Sequence, residues 1–142
     1  MGRDGHLPRR VLERYGVLGM TKIIISMLPA LLNHYVRHTR SGRHYKTKEA
    51  ESFEEIGAYV CRAAQPVCAK SYSVTIDIYQ GAGQKGDIDG YAKQVLDLLA
   101  NNGLLLDRNG KLGTDAHVTE LHMTKRRCKN GPRTEVTILG LL

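Results

Sequence analysis

Between residues 71 and 80 the chain reads SYSVTIDIYQ, and the alternation is clean. Tyr72, Val74, Ile76 and Ile78 fall on one face, with Ser73, Thr75, Asp77 and Tyr79 on the other. A period of two over this length predicts a half-buried strand. The same period returns in HVTELHMTK (117–125) and in TEVTIL (134–139). Those two runs are separated by a link containing Asn-Gly-Pro, which predicts an antiparallel hairpin. The β-branched run TKIIISM (21–27) predicts a buried strand.

A helical period replaces the strand period twice. From Thr47 or Lys48 to Ala64, the residues Phe53, Ile56, Tyr59 and Val60 recur at helical spacing, and Pro66 lies beyond the end. After GAGQKG (81–86), a flexible lead-in without the Lys-Ser/Thr ending of a phosphate loop, a second helix is expected. Its apolar face is Ile88, Ala92, Val95, Leu96 and Leu99, and Asn101-Asn102-Gly103 stops it. LPALLNHYVRHTRSGRHYK (28–46) predicts a long loop turning at Ser41-Gly42. Residues 1–19 are polar and read as an N-terminal extension, with the regular domain spanning 20–142. The order β-loop-α-β-α-β-β implies the α/β (α+β) class: a small mixed β-sheet with two main helices on one face.

Composition narrows this little. The chain has 142 residues, 42% of them apolar, enough for one domain with a real core. The longest apolar stretch, IIISMLPALL (23–32), is broken by Pro29 and falls far short of the roughly 20 residues a membrane helix needs. No signal peptide is evident, so a cytoplasmic protein is expected. The three cysteines, Cys61, Cys68 and Cys128, form no CxxC pair and no zinc spacing; they read as reduced and structural.

Charge is more informative. The net charge of +7 is concentrated in two acid-free blocks. NHYVRHTRSGRHYKTK (33–48) holds Arg37, Arg40, Arg43, Lys46 and Lys48; KRRCKNGPR (125–133) holds Lys125, Arg126, Arg127, Lys129 and Arg133. Like charges repel, so such blocks point to a polyanionic partner, nucleic acid, that nucleoid association would supply. Tyr35 and Tyr45 in the first block suit either base stacking or plain packing. His34 and His38 suit phosphate contact or solvation better than a metal.

Against that background, GDIDGYAKQVLDLL (86–99) gathers acids. Asp89, Lys93 and Asp97 stand four apart and share one stripe of the helix, and Asp87 precedes it. One reading is structural: Asp89 as an N-cap and Lys93–Asp97 as a surface pair. The other is chemical. Carboxylates without His or Cys form a hard oxygen site suited to Mg²⁺ or Mn²⁺. Such a metal lets a basic protein approach a phosphodiester, polarise it and activate water, while Lys93 offsets the added negative charge of the transition state.

The same stretch resembles the Asp-x-Asp-Asn-x-x-Lys-x-x-x-Asp-x-Leu signature of the RusA family of Holliday junction resolvases. IISMLPALLNHYVRHTRSGRHYKTKEA is similar to the family's opening, TDAHVTELHMTK to its Asp-Asp-x-x-Val segment, and RTEVTIL to its closing strand. The resemblance runs from about Met20 to Leu139. It implies a homodimeric, Mg²⁺-dependent endonuclease that nicks four-way DNA junctions in pairs during recombination and repair, often prophage-encoded. It implies Asp87 and Asp89 as metal ligands and Lys93 as the catalytic lysine. The third carboxylate is Asp115 when aligned through DAHV, or Asp107 when aligned through GLLLD; Asp115 is preferred because it leads directly into a strand. Gly90 stands where the family usually has Asn. Arg37, Arg40, Arg43, Lys46, Lys125, Arg126 and Arg127 are expected to grip branched DNA. The competing expectation is a non-catalytic basic nucleic-acid-binding protein.

Overall fold

The computed structural model describes residues 17–38, 44–107 and 109–141. The N-terminal extension up to residue 16, the Ser41-Gly42 turn, and Arg40 and Arg43 lie outside them. The main sheet has four strands in the order β1 (Val17–Ile25), β8 (Arg133–Leu141), β5 (Ser71–Gln80), β7 (Val118–Arg127). Strands β1 and β5 both run antiparallel to β8, while β5 and β7 are parallel. Two helices, α2 (Lys48–Arg62) and α3 (Ala92–Asn101), complete an α+β domain. Strand β1 begins at Val17, so the regular structure reaches three residues into the expected extension.

The expected hairpin of β7 and β8 does not form, because β5 lies between them. Its burial explains the placement. Tyr72, Val74, Ile76 and Ile78 are all fully buried, as the alternation predicts, and Ser73 on the other face is buried too. Strand β7 is exposed along most of its length and takes the edge. A parallel β5–β7 pair needs a crossover of a dozen or more residues, and the segment carrying α3 supplies it. Strand β1 is likewise an edge strand and not a buried one: Ile23 and Ile25 enter the core while Ile24 is 50% exposed.

The expected loop 28–46 contains a single helical turn, α1 (Leu32–Tyr35), and a short antiparallel pair, β2 (Val36–His38) with β3 (His44–Lys46). A second small sheet pairs β4 (Val67–Cys68) in parallel with β6 (Leu105–Leu106).

Helix α2 is capped by Thr47, whose hydroxyl accepts from the Ala50 amide at 3.3 Å, with Glu49 and Glu51 in the first turn. Its buried stripe is Ala50, Phe53, Gly57 and Cys61. Ile56 and Tyr59, expected inside, are 44% and 76% exposed. Small residues won because the stripe meets α3 closely, with Leu98 against Gly57. Helix α3 buries Gln94 together with Val95, Leu98 and Leu99, while Ile88 is exposed. Gln94 accepts from the Ala30 amide at 2.6 Å and donates to the Ala50 carbonyl at 2.7 Å, tying the 28–31 segment to α2. Of the cysteines, only Cys61 is a core residue, and burial pushes its thiol up to about 11. Cys68 is exposed, and the Cys128 sulfur accepts from Arg133 at 3.1 Å. Among the described residues no helix is long and apolar enough to cross a membrane.

Candidate active site

Where β5 ends, the chain turns back on itself. The Gln84 amide donates to the Gly81 carbonyl at 3.3 Å, and the Gln84 side-chain oxygen accepts from the Gly81 amide at 2.7 Å. Arg127, near the end of β7, donates to the Gly81 and Gln84 carbonyls at 3.0 and 2.7 Å. Lys125 donates to the Gly86 carbonyl at 2.8 Å. The expected flexible lead-in is therefore a clipped turn. Behind it, Gln80, buried at the strand end, donates to the Tyr91 hydroxyl at 3.0 Å and to the Gly86 carbonyl at 3.4 Å. A Cβ on residue 86 would overlap the Tyr91 hydroxyl and crowd Leu31, so the close approach requires glycine.

Asp87 follows with extended backbone and precedes a 3₁₀ turn, Ile88–Tyr91, that leads into α3. Its side chain makes no capping bond. Asp87 and Asp89 are exposed and line a cleft of about 570 Å³ together with Lys85, Lys125 and Arg127. Among the described residues, neither carboxylate has a hydrogen-bond or ion-pair partner. The capping role that a structural reading gives Asp89 is thus not what the carboxylate does. Gly90 packs under Leu31, whose Cδ2 lies 3.0 Å from where a Cβ would stand. An asparagine there requires Leu31 to move.

Lys93, in the first turn of α3, lies 3.1 Å from Asp97 and 4.0 Å from Asp115. The hydrogen bond to Asp97, then its charge, hold the Lys93 ammonium above the usual lysine range, with a smaller contribution from Asp115. Asp115 opens a second 3₁₀ turn, Asp115–His117, capped by Thr114, whose hydroxyl accepts from the Ala116 amide at 3.3 Å. That turn packs on α3, which brings Asp115 to Lys93 from a distant part of the chain.

Asp107 has a different employment. Its Oδ1 accepts from the Asn109 and Lys111 amides at 2.8 and 3.0 Å, organising a loop. The bond from Lys111 is the largest cause holding its carboxyl below the ordinary range.

The four residues do not converge equally. Asp87 and Asp89 share the cleft; Asp115 meets Lys93 instead. Among the described residues, no three His, Cys, Asp or Glu side chains stand close enough to hold one ion. The donor chemistry nonetheless fits Mg²⁺, which is usually held by one or two carboxylates, water and substrate phosphates rather than a complete protein cage.

The basic blocks also divide. The Arg37 backbone lies in β2, and Lys46 in β3 donates to Glu54 at 2.6 and 3.0 Å. In β7 the strand period separates KRR: Lys125 and Arg127 point to the turn before Asp87, whereas Arg126 approaches the Tyr79 ring on the opposite face, 6.0 Å from its centre. Arg133 stacks on the same ring at 3.8 Å and pairs with Glu135 at 2.6 Å. Sequence reasoning missed Gln80 and Gln94. The signal was available for Gln80, which continues the buried alternation of β5, whereas Gln94 lies off the apolar face expected for α3.

No curated protein matches the chain. A family model described as endodeoxyribonuclease RusA matches residues 28–139, a stretch that contains Asp87, Asp89, Lys93 and Asp115 together with β5, α3, β7 and most of β8. Most of the chain is covered, and it belongs to the RusA family of endodeoxyribonucleases, nucleases that act on branched DNA junctions.

Proposed function

We propose that the protein is a Mg²⁺-dependent endonuclease, with Mn²⁺ as a substitute, that resolves Holliday junctions by paired symmetric nicks in recombination and repair, and that it is prophage-encoded. One observation supports this most. Lys85, Lys125 and Arg127 line the cleft with Asp87 and Asp89, yet Lys125 and Arg127 bond to backbone carbonyls, and neither carboxylate is paired among the described residues. An exposed ion pair would add little to stability, so their openness costs the fold almost nothing. Left open, they are available to a cation that arrives with the substrate.

Asp87 and Asp89 would hold the metal, which when bound polarises the scissile phosphate and lowers the pKa of a water; Asp115, expected as the third ligand, stands beside Lys93 instead of in their cleft. Lys93 is held in place by its hydrogen bond to Asp97. It therefore offers a fixed positive charge to the phosphate as negative charge grows on it. Asp115, next to that ammonium, orients it. Arg37, Arg40, Arg43, Lys46 and Arg126 would grip the junction arms through phosphates, with strong salt dependence. A homodimer would set two sites across the roughly two-fold junction, as symmetric nicking requires.

Asp89→Asn tests the reading. Cleavage of a synthetic four-way junction in Mg²⁺ is expected to vanish, with junction binding intact or tighter. Wild-type protein that binds branched DNA but nicks none of it at any divalent-ion concentration would instead be a non-catalytic binder. Preference for structured RNA over the junction would redirect the substrate.

A further inference from the structure

Two of the three basic residues in 125–127 are engaged before any DNA arrives. Arg127 spans the carbonyls at both ends of the 81–84 turn, and Lys125 takes the carbonyl of Gly86, the residue just before Asp87. Gln80 meets the same carbonyl from the buried side, and the Cys128 amide returns a bond to the Gln80 carbonyl at 2.9 Å. Among the described residues, the side chains that tie the sheet end to the 81–86 turn are Gln80 of β5 and Lys125 and Arg127 of β7.

We propose that Arg127 and Lys125 are positioning residues: they fasten the 81–86 turn to the edge strand β7 and so fix where Asp87 and Asp89 present their carboxylates. The inference rests on the nuclease reading above and narrows the DNA grip to the other cations. The chemistry suits the task. Guanidinium carries several donors in a rigid plane and can hold two carbonyls at once, which a lysine ammonium does less rigidly. Binding carbonyls also keeps positive charge in the cleft without neutralising the acids, so the pair stays free for a divalent ion.

A phosphate-contacting arginine and a positioning arginine give different signatures. Arg127→Ala and Arg127→Lys are compared with wild type in junction binding (with Ca²⁺ replacing Mg²⁺), in cleavage against Mg²⁺ concentration, and in amide hydrogen exchange over 82–90. Positioning predicts kcat reduced about tenfold or more in the alanine variant and a higher half-activating Mg²⁺ concentration. It also predicts tenfold faster exchange in the turn and a junction Kd within about twofold, with partial rescue in the lysine variant. Mn²⁺ binding to the DNA-free protein, read by electron paramagnetic resonance, should weaken in parallel. A phosphate contact predicts the reverse: weaker binding, a salt slope reduced by about one, unchanged exchange and unchanged kcat. That result overturns the proposal. If wild type cleaves no branched DNA, the nuclease reading fails, and exchange in the turn with Mn²⁺ affinity still decides whether the clamp exists.

Discussion

The loop after β5 and the loop after β6 each carry aspartate in a short polar stretch, and they use it in opposite ways. Asp107 turns inward on its own backbone, accepting two amides and closing a turn. Asp87 and Asp89 accept nothing from the described residues, although lysine and arginine are close by. A carboxylate saturated by amides holds structure and has little left for a cation. One left open to water beside committed cations keeps its oxygens available to a ligand. Neither candidate for the third family carboxylate lines the cleft of Asp87 and Asp89: Asp115 is 4.0 Å from Lys93, and Asp107 is at work in its loop.

Matched substitutions put that contrast at risk. Asp87→Asn should lower junction cleavage by about a thousandfold, roughly 4 kcal/mol in barrier, with little change in Tm. Asp107→Asn, the same chemical change, should leave the cleavage rate within about threefold, a small fraction of that barrier; equal losses from both would erase the distinction. Gly86→Ala comes next. Overpacking against Tyr91 and Leu31 should cost about 1–3 kcal/mol of stability and slow cleavage as well, seen by chemical denaturation and kinetics on one preparation.

Smaller effects sharpen the picture. Asp97→Asn removes the main cause of the raised Lys93 pKa. A raised folded value means that the charge, and the stability it brings, is present below the unfolded pKa and lost as pH rises through the folded one. The alkaline limb of the cleavage profile should therefore move to lower pH, and an unmoved limb would exclude Lys93 as the group that titrates there. Smallest is the acid response of the Asp107 loop. The Lys111 amide chiefly holds its carboxyl below the ordinary aspartate range, so its stabilisation is present above the unfolded pKa and fades as pH falls through the folded one. Asp107→Ala should lower Tm by a few degrees at neutral pH and by less in acid.

The period of two in SYSVTIDIYQ displays β5 and its buried face, and the Asp-x-Asp with its lysine carries the likeness to the family that the match over 28–139 shows. Pairing was not legible. A short link between β7 and β8 favours a hairpin locally, but the choice of neighbour was made by β5, whose burial on both faces claims the centre of the sheet. The stripe of α2 misled for a related reason. Hydrophobicity ranked Ile56 and Tyr59 above Gly57, whereas close helix contact favours the smaller residue. Within the site, the run KRR reads as one patch along the chain, and the alternation of a strand sends its members to opposite faces.

Placing β7 at the rim of the sheet leaves its outer backbone without a neighbouring strand among the described residues. Such borders invite stray strands from other molecules, and dense charge is a common defence. The positive run at the end of β7 thus carries a colloidal duty: neutral replacements there should be judged for precipitation at high protein concentration before any loss is ascribed to enzymology.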